Sequence, residues 1–172
     1  PAFSRRVFEA RHWLVAALVS LGALLIPSTT LLASLDPAIG EVVAMAGMTL
    51  VVAGATVRTW ASLYIGGRKN QDVIRDGPYA LTRNPLYLGN LLAATGIVLL
   101  SGSIVVAALA LPAIFLVVLF TIKSEEAKLS GKFGPAFTSY RSTVPMFIPQ
   151  PSAIRRFLAD DSLKVISHRN VA

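Results

Sequence analysis

The chain has 172 residues, of which 54% are hydrophobic and only 15% charged, with a mean hydropathy of +0.64. Soluble domains carry about 25% charged residues, so this composition excludes an ordinary water-soluble globular protein. The absence of cysteine excludes disulfides, thiolate metal sites and a cysteine nucleophile, and two histidines are too few ligands for a zinc or haem centre. We therefore expect no metal in the site.

Four apolar segments predict membrane-spanning helices, with approximate bounds 13–35, 42–64, 86–100 and 104–122. One crossing takes about 20 apolar residues. The last two segments belong to one uncharged run that would be about 55 Å long as a single helix, against a hydrocarbon core of about 30 Å. We therefore place a turn at Ser101-Gly102-Ser103. The sequence thus predicts an all-α integral membrane protein with four transmembrane helices.

The basic residues fall on one side of these four spans. All 16 Lys and Arg lie before the first span, at or between the ends of the second and third spans, or after the fourth span, and these segments share one side. The other side contains Asp36, Glu41 and the neutral Ser-Gly-Ser turn. Cytoplasmic segments carry the excess of Lys and Arg, so we expect both termini to be cytoplasmic. The charge is then a topological signal, and no nucleic-acid partner is expected. The predicted location is the inner membrane of a prokaryote, with an active site facing the cytoplasm.

The polar connector between the second and third spans, residues 66–85, is longer than an anchor requires. Links of this length without structure of their own are uncommon and are often functional. At its end Asn84-Pro85 is a good helix start, because Asn caps free backbone donors and Pro fits the first helical position. With Arg83 beside it, this helix terminus is a candidate carboxylate or phosphate site. The alternative is a capped helix with an interfacial arginine.

Two adjacent carboxylates, Glu125 and Glu126, follow the fourth span at its cytoplasmic end. Negative charge there opposes both the helix dipole and anionic lipid headgroups. The pair therefore needs a cationic partner or a ligand. The alternative is that the helix continues to about Lys132 and that Glu125 pairs with Lys123 or Lys128.

Short motifs follow one another in a fixed order between residues 66 and 150. They are Gly77-Pro78-Tyr79, Arg83-Asn84-Pro85-Leu86-Tyr87-Leu88-Gly89, Glu125-Glu126, Leu129, Phe133-Gly134, Tyr140 and Pro149. This ordered set resembles the C-terminal signature of the isoprenylcysteine carboxyl methyltransferase family, and the related phospholipid methyltransferases share its outline. The chain departs from the family at Asn84, where histidine is usual. Asparagine donates hydrogen bonds but carries no proton at neutral pH, which excludes an acid–base role there.

The resemblance implies a methyltransferase that uses S-adenosylmethionine, held in a cytoplasm-facing pocket between the connector, the third and fourth helices and the C-terminal segment. It makes 66–150 the catalytic region of a single membrane domain, after two membrane helices in 1–65 and before a surface tail in 151–172. The candidate catalytic residues are Arg83 and Glu125. The candidate cofactor-binding residues are Val73, Tyr79, Asn84, Tyr87, Glu126 and Tyr140.

The expected acceptor is a lipophilic molecule that enters from the bilayer, with membrane lipids as the other partners. A prenylated-cysteine carboxylate is the family's namesake substrate, and a phospholipid amine or a small thiol fits the motifs equally well. A membrane reductase is a second class, because sterol reductases resemble the same region, although they have more helices than this chain can hold. A non-enzymatic anchor or assembly protein is the third class, and it has no need of the long connector or the carboxylate pair.

Overall fold

The computed structural model describes residues 36–66 and 72–159, and every regular element in these ranges is an α-helix. The helices are α1 (Pro37–Ile65), α2 (Pro78–Leu81), α3 (Pro85–Leu100), α4 (Ile104–Phe133), α5 (Pro135–Thr143) and α6 (Pro151–Ala159). The all-helical prediction is confirmed for this part of the chain. The predicted first span, 13–35, lies outside the described residues.

The predicted second and third spans correspond to α1 and α3 within a few residues, and the helix that contains the predicted fourth span is longer than predicted. α4 does not end at 122 but continues to Phe133, because the polar residues after 122 are mostly good helix formers and include no proline. The helix ends where Gly134 takes a positive φ of 51° and Pro135 begins α5. The carboxylate pair therefore lies on α4 itself.

Helix starts follow local rules that the sequence makes visible. Five of the six described helices begin with proline, whose fixed φ suits the first position and whose missing N–H is not needed there. The exception, α4, follows Ser103, whose hydroxyl accepts a 3.2 Å hydrogen bond from the N–H of Val106. Asp36 caps α1 in the same way, accepting 2.8 Å from the N–H of Ala38.

Two helices, α1 and α4, are long and apolar enough to cross a membrane. Only 11% and 6% of their most apolar stretches are buried within the protein, so their hydrophobic side chains face outward, as with Met45 at 71% and Phe120 at 68% exposure. A water-soluble protein would bury such helices, and a membrane protein presents them to lipid. At 16 residues, α3 is apolar but shorter. The described chain is therefore that of a helical membrane protein.

The chain divides into two compact units, one containing residues up to Val52 with Leu91–Phe120, and the other containing Ala53–Asn90 with the residues from Thr121 onward. In the first unit α1 and α3 approach closely at glycines, since a Cβ on Gly47 would lie 2.9 Å from the Gly96 carbonyl oxygen. Small residues permit this approach of membrane helices.

The second unit carries the same close approach and a small core of its own. A Cβ on Gly89 of α3 would lie 2.8 Å from the backbone of both Gly54 and Arg58 on α1. Further along, Ala61, Ile74 and Tyr79 form a buried cluster that also contacts Leu86. This cluster ties the connector to the end of α1 and positions the residues described next.

Candidate active site

A pocket opens in the second unit where the connector meets the beginning of α3, the polar end of α4, and α5. Counting its mouth, which is open to solvent, it contains about 760 Å³ of space. Its floor and walls mix apolar and aromatic side chains with charged and amide groups. The lining residues are Ile65, Asp72, Val73, Ile74, Tyr79, Arg83, Asn84, Pro85, Leu86, Tyr87, Glu125, Glu126, Leu129, Phe137 and Tyr140.

Glu126 forms ion pairs with two arginines. Its Oε1 lies 3.2 Å from Nε of Arg83, and its Oε2 lies 3.6 Å from Nε of Arg141 on α5. The side chains of Glu126 and Arg83 are only 7% and 10% exposed, whereas that of Arg141 is 57% exposed. The Asn84 amide also donates to Glu126 Oε1, at 3.4 Å. Glu126 is thus a buried anion that joins the connector, α4 and α5.

Glu125, the neighbouring carboxylate, has a different environment. Successive residues of an α-helix point about 100° apart, so Glu125 faces another part of the pocket wall. There its Oε2 accepts a 2.6 Å hydrogen bond from the hydroxyl of Tyr87 on α3. This hydroxyl holds the carboxylate in a fixed orientation at the half-buried edge of the pocket.

The segment after α5 is fastened to the connector by hydrogen bonds. The Arg83 N–H donates to the Pro145 carbonyl at 2.9 Å, and the Thr82 hydroxyl donates to the Met146 carbonyl at 2.6 Å. The Asn84 amide reaches the same Met146 carbonyl at 3.5 Å. Arg83 is held a second time, since its Nη1 donates to the Arg141 carbonyl at 2.6 Å. These bonds close one side of the pocket.

Tyr140 and Tyr79 are both buried against each other in the pocket wall. The Tyr140 hydroxyl donates to the Tyr79 carbonyl at 2.7 Å, and the guanidinium of Arg75 lies 5.9 Å from the centre of the Tyr140 ring. Burial, with a smaller contribution from the charge of Glu125, raises the pKa of the Tyr79 hydroxyl to about 12. Burial likewise raises the pKa of Tyr140. Both phenols are therefore neutral hydrogen-bond donors at physiological pH.

Two buried donors in the pocket wall have no hydrogen-bond acceptor among the described residues: the hydroxyl of Tyr79 and Nε of Arg83. Nε of Arg83 lies close enough to Glu126 for an ion pair, but its N–H does not point at that oxygen well enough for a hydrogen bond. A buried polar group left without a partner costs about 1–3 kcal/mol. Such donors in a pocket wall are what a bound ligand with acceptor atoms would satisfy.

The structure brings all eight candidate residues to this pocket, where each lines its wall. Their roles remain predictions. The alternative in which the fourth helix continues to about Lys132 was right about the helix, because α4 extends past the carboxylates to Phe133. The contribution of Arg141 was missed, although it directly follows Tyr140 in the sequence. Thr82, whose hydroxyl holds Met146, was missed as well, since neither contact leaves a trace in residue spacing.

The fold and the pocket define a helical membrane protein with a pocket at the polar ends of its helices. The model of the phospholipid methyltransferase family matches residues 37–136, which include most of the pocket wall. The chain belongs to this family. The resemblance stated from the motifs is thereby confirmed.

The chain is similar to two proteins named for metal resistance. It is 37% identical over 113 residues to the nickel-cobalt-cadmium resistance protein NccN of Alcaligenes xylosoxydans xylosoxydans, covering 66% of this chain and 51% of that protein. It is 38% identical over 111 residues to the cobalt-zinc-cadmium resistance protein CzcN of Cupriavidus metallidurans, covering 64% and 50%. The chain thus spans about half the length of these curated relatives.

A more distant relative carries an enzyme name. The protein-S-isoprenylcysteine O-methyltransferase of Schizosaccharomyces pombe is 33% identical over 87 residues, which cover 49% of this chain and 37% of that protein. No solved structure matches the chain significantly. Among the described residues no group of three His, Asp or Glu side chains is placed to hold a metal ion.

Proposed function

We propose that the chain transfers a methyl group from S-adenosylmethionine to a lipophilic acceptor that reaches the pocket from the bilayer, in the manner of the isoprenylcysteine carboxyl methyltransferases. The observation that carries the proposal is the Tyr79 hydroxyl, which is buried in the pocket wall without a hydrogen-bond partner among the described residues. Family membership supports methyl transfer as the chemistry. The apolar helices around the pocket support a lipophilic acceptor.

The side chains of the pocket fit the groups that S-adenosylmethionine presents. When bound, this cofactor supplies an activated methyl group on a sulfonium. Tyr79 and Arg83 offer donors to its carboxylate, and Asn84 lies beside them. Tyr79, Tyr87 and Tyr140 line the pocket, and aromatic rings attract a sulfonium as they do other cations. Val73 adds apolar surface to the same wall.

The two carboxylates have separate roles in this proposal. Glu126 neutralises Arg83 and Arg141, and thereby positions Arg83 in the pocket wall. Glu125, oriented by Tyr87, is the carboxylate that meets the ammonium or ribose of the cofactor or the acceptor itself. Methyl transfer breaks the sulfur–carbon bond and forms a bond to the acceptor atom, and it depends mainly on alignment and exclusion of water. An amine or thiol acceptor must also lose a proton, for which Glu125 is the available base.

Cofactor binding tests the proposal directly. The full chain, purified in detergent, is titrated with S-adenosylmethionine and separately with NADPH, and thermal stability is followed. At 100 times its dissociation constant a ligand adds about 2.7 kcal/mol of stability. Tyr79→Phe, which removes the unpartnered hydroxyl, should weaken S-adenosylmethionine binding about tenfold. Tyr64→Phe, in the same unit but outside the pocket wall, is the matched control and should bind within about twofold of wild type.

The other classes of function predict different titrations. Stabilisation by NADPH in place of S-adenosylmethionine would identify a reductase. No stabilisation by either ligand in several lipid mixtures would leave the non-enzymatic anchor or assembly protein. Equal binding by wild type and Tyr79→Phe would remove the hydroxyl from the cofactor site.

The acceptor atom is identified by transfer of a labelled methyl group into whole membranes. Base-labile label indicates a carboxylate acceptor and hence an ester, whereas stable label indicates the nitrogen of a phospholipid amine or the sulfur of a thiol. We place the activity in cells under transition-metal stress, because two relatives are named for metal resistance. The labelling is therefore compared in membranes from cells grown with and without cobalt or cadmium.

A further inference from the structure

Trp60 lies close to the point where α1 leaves the apolar part of the membrane. No charged residue lies between Glu41 and Arg58, so the exposed Arg58 side chain marks one edge of the apolar stretch. Trp60 follows Arg58 by two residues, about 3 Å farther along the helix axis. Tryptophan is enriched at this depth of a bilayer, because its ring combines apolar surface with an N–H donor. Trp60 thus has the position of an interfacial tryptophan.

Two contacts hold α6 beside this end of α1. The rings of Phe157 and Trp60 meet edge to face, with centroids 5.8 Å apart and planes inclined at 68°, a favourable arrangement for an aromatic pair. On the same helix Ala153 is buried, with 8% exposure, and α6 contacts α2. Ala153 and Phe157 are four residues apart and therefore share one face of α6. This face packs on the protein at the depth of Trp60.

Ile154 and Arg155 lie on α6 away from the packed face. They are about 100° and 200° around the helix from Ala153. Ile154 is 41% exposed, and the Arg155 side chain is exposed as well. An isoleucine beside an arginine on the outer side of a short helix is typical of helices that lie in a membrane interface, where the apolar group meets the acyl boundary and the cation meets the headgroups.

A second isoleucine points outward just before α6. Ile148 is 83% exposed, the highest exposure of any large hydrophobic side chain in the described part of the chain. The backbone on both sides of it is held, because the Met146 carbonyl accepts a 2.6 Å hydrogen bond from the Thr82 hydroxyl and Pro151 begins α6. The fold therefore fixes the place of an apolar side chain that is unfavourable in water.

We infer that α6 and the segment before it bind the membrane surface, with Ile148 and Ile154 inserted among the lipid headgroups and Arg155 in contact with anionic headgroups. The depth of Trp60 brings this surface to the bilayer that α1 enters. The isoleucines supply apolar area, and the guanidinium attracts negatively charged lipid. None of the three residues lines the pocket, so the surface is separate from the candidate active site and does not depend on methyl transfer.

Site-specific fluorescence tests this surface in the full chain, because the sequence contains no cysteine and an introduced thiol can be labelled alone. Ile148→Cys and Ile154→Cys are labelled with the dye NBD in nanodiscs of equal parts phosphatidylcholine and phosphatidylglycerol, with and without nitroxide-labelled acyl chains. The matched control is Gly131→Cys, an exposed position about 14 Å beyond Ile122 along α4. We expect nitroxide quenching at the two isoleucine positions to exceed that at the control at least about threefold.

Charge reversal tests the contribution of Arg155. In protein labelled at Ile148→Cys, Arg155→Glu should lower the quenching about twofold or more in the anionic nanodiscs and leave it unchanged in pure phosphatidylcholine. Lys132→Glu makes the same change of charge at an exposed position of α4 and should keep the original quenching. Salt at about 1 M, which shortens the Debye length to about 3 Å, should bring the unreversed protein to the level of Arg155→Glu.

The alternative is that this surface faces water or another protein. Quenching at Ile148 and Ile154 no stronger than at Gly131 would overturn the inference. An equal loss in Arg155→Glu and Lys132→Glu would overturn the contact with anionic headgroups, because general surface charge then explains the effect. If Ile154→Cys changes thermal unfolding, the label at Ile148 decides alone, since that residue lies outside the helices. A chain that fails to bind S-adenosylmethionine should still show the same quenching.

Discussion

The Arg83 guanidinium lies 3.2 Å from the Glu126 carboxylate, and each side chain is nine-tenths buried. Neither charge is well solvated, so each depends on the other for its stability in the folded protein. Arg141 contacts the same carboxylate from a largely exposed position. The three residues come from the connector, α4 and α5, and the ion pairs therefore join chain segments that are distant in sequence.

The first prediction concerns this buried pair. Glu126→Gln keeps the shape of the side chain but leaves the Arg83 charge uncompensated, so we expect a loss of about 3–5 kcal/mol of stability. Arg141→Gln is the control. Because the Arg141 side chain is largely exposed, its loss should cost about 0–1 kcal/mol of stability. Denaturant unfolding in detergent measures both. If the two losses are equally small, Glu126 is not the structural anion of the pocket wall and is available to a ligand instead.

A second prediction concerns the close helix contact at Gly89. A methyl group there would lie 2.8 Å from the backbone of Gly54 and Arg58, so Gly89→Ala must move two helices apart and should cost about 1–3 kcal/mol. Gly131→Ala is the control, since nothing lies within 4 Å of a Cβ at that position of α4. There alanine should leave the stability unchanged or raise it by up to about 1 kcal/mol. Thermal unfolding that ranks the two variants in the opposite order would contradict the packing described.

The third prediction concerns alkaline pH. The folded protein holds the Tyr79 pKa at about 12, above its ordinary value of 10.0, so between these values the unfolded chain loses a proton that the native state keeps. Stability from this group is complete below pH 10 and falls as the pH rises toward 12. Tyr79→Phe should show a shallower fall over that range. The measurement is the midpoint of thermal unfolding from pH 8 to 12, and parallel curves for the two proteins would be the contrary result.

Much of the fold could be predicted because membrane helices are encoded by length and apolarity. The starts of α3 and α4 follow from Pro85 and from the capping residue Ser103, and both are visible as local patterns. The end of α4 was misplaced because the change from apolar to polar residues marks the edge of the membrane and not the end of a helix. After residue 122 the backbone of α4 stays helical until Gly134 and Pro135, because the polar residues between are mostly good helix formers.

The sequence was enough to predict which residues line the pocket, but not which of their side chains contact each other. Motif order was enough to select Tyr79, Tyr87 and Glu125 as pocket residues. Glu125 contacts Tyr87, whereas Glu126 contacts the arginines. Which carboxylate meets which partner depends on the rotation of α4 relative to α3 and α5, and residue spacing in the sequence does not reveal this rotation. The partnership of Arg141 with Glu126 likewise requires α5 to fold back toward α4, a tertiary contact between residues 15 positions apart.

The apolar residues of α4 and its carboxylate pair lie on one helix, which contains Pro112. Glu125 lies 21 residues after Ile104, a rise of about 32 Å at 1.5 Å per residue, which is close to the roughly 30 Å thickness of a hydrocarbon core. We therefore expect acyl-chain length to affect where the lipid headgroups lie relative to this carboxylate, unless the helix tilts to compensate. On this expectation, bilayer thickness would influence activity as well as folding.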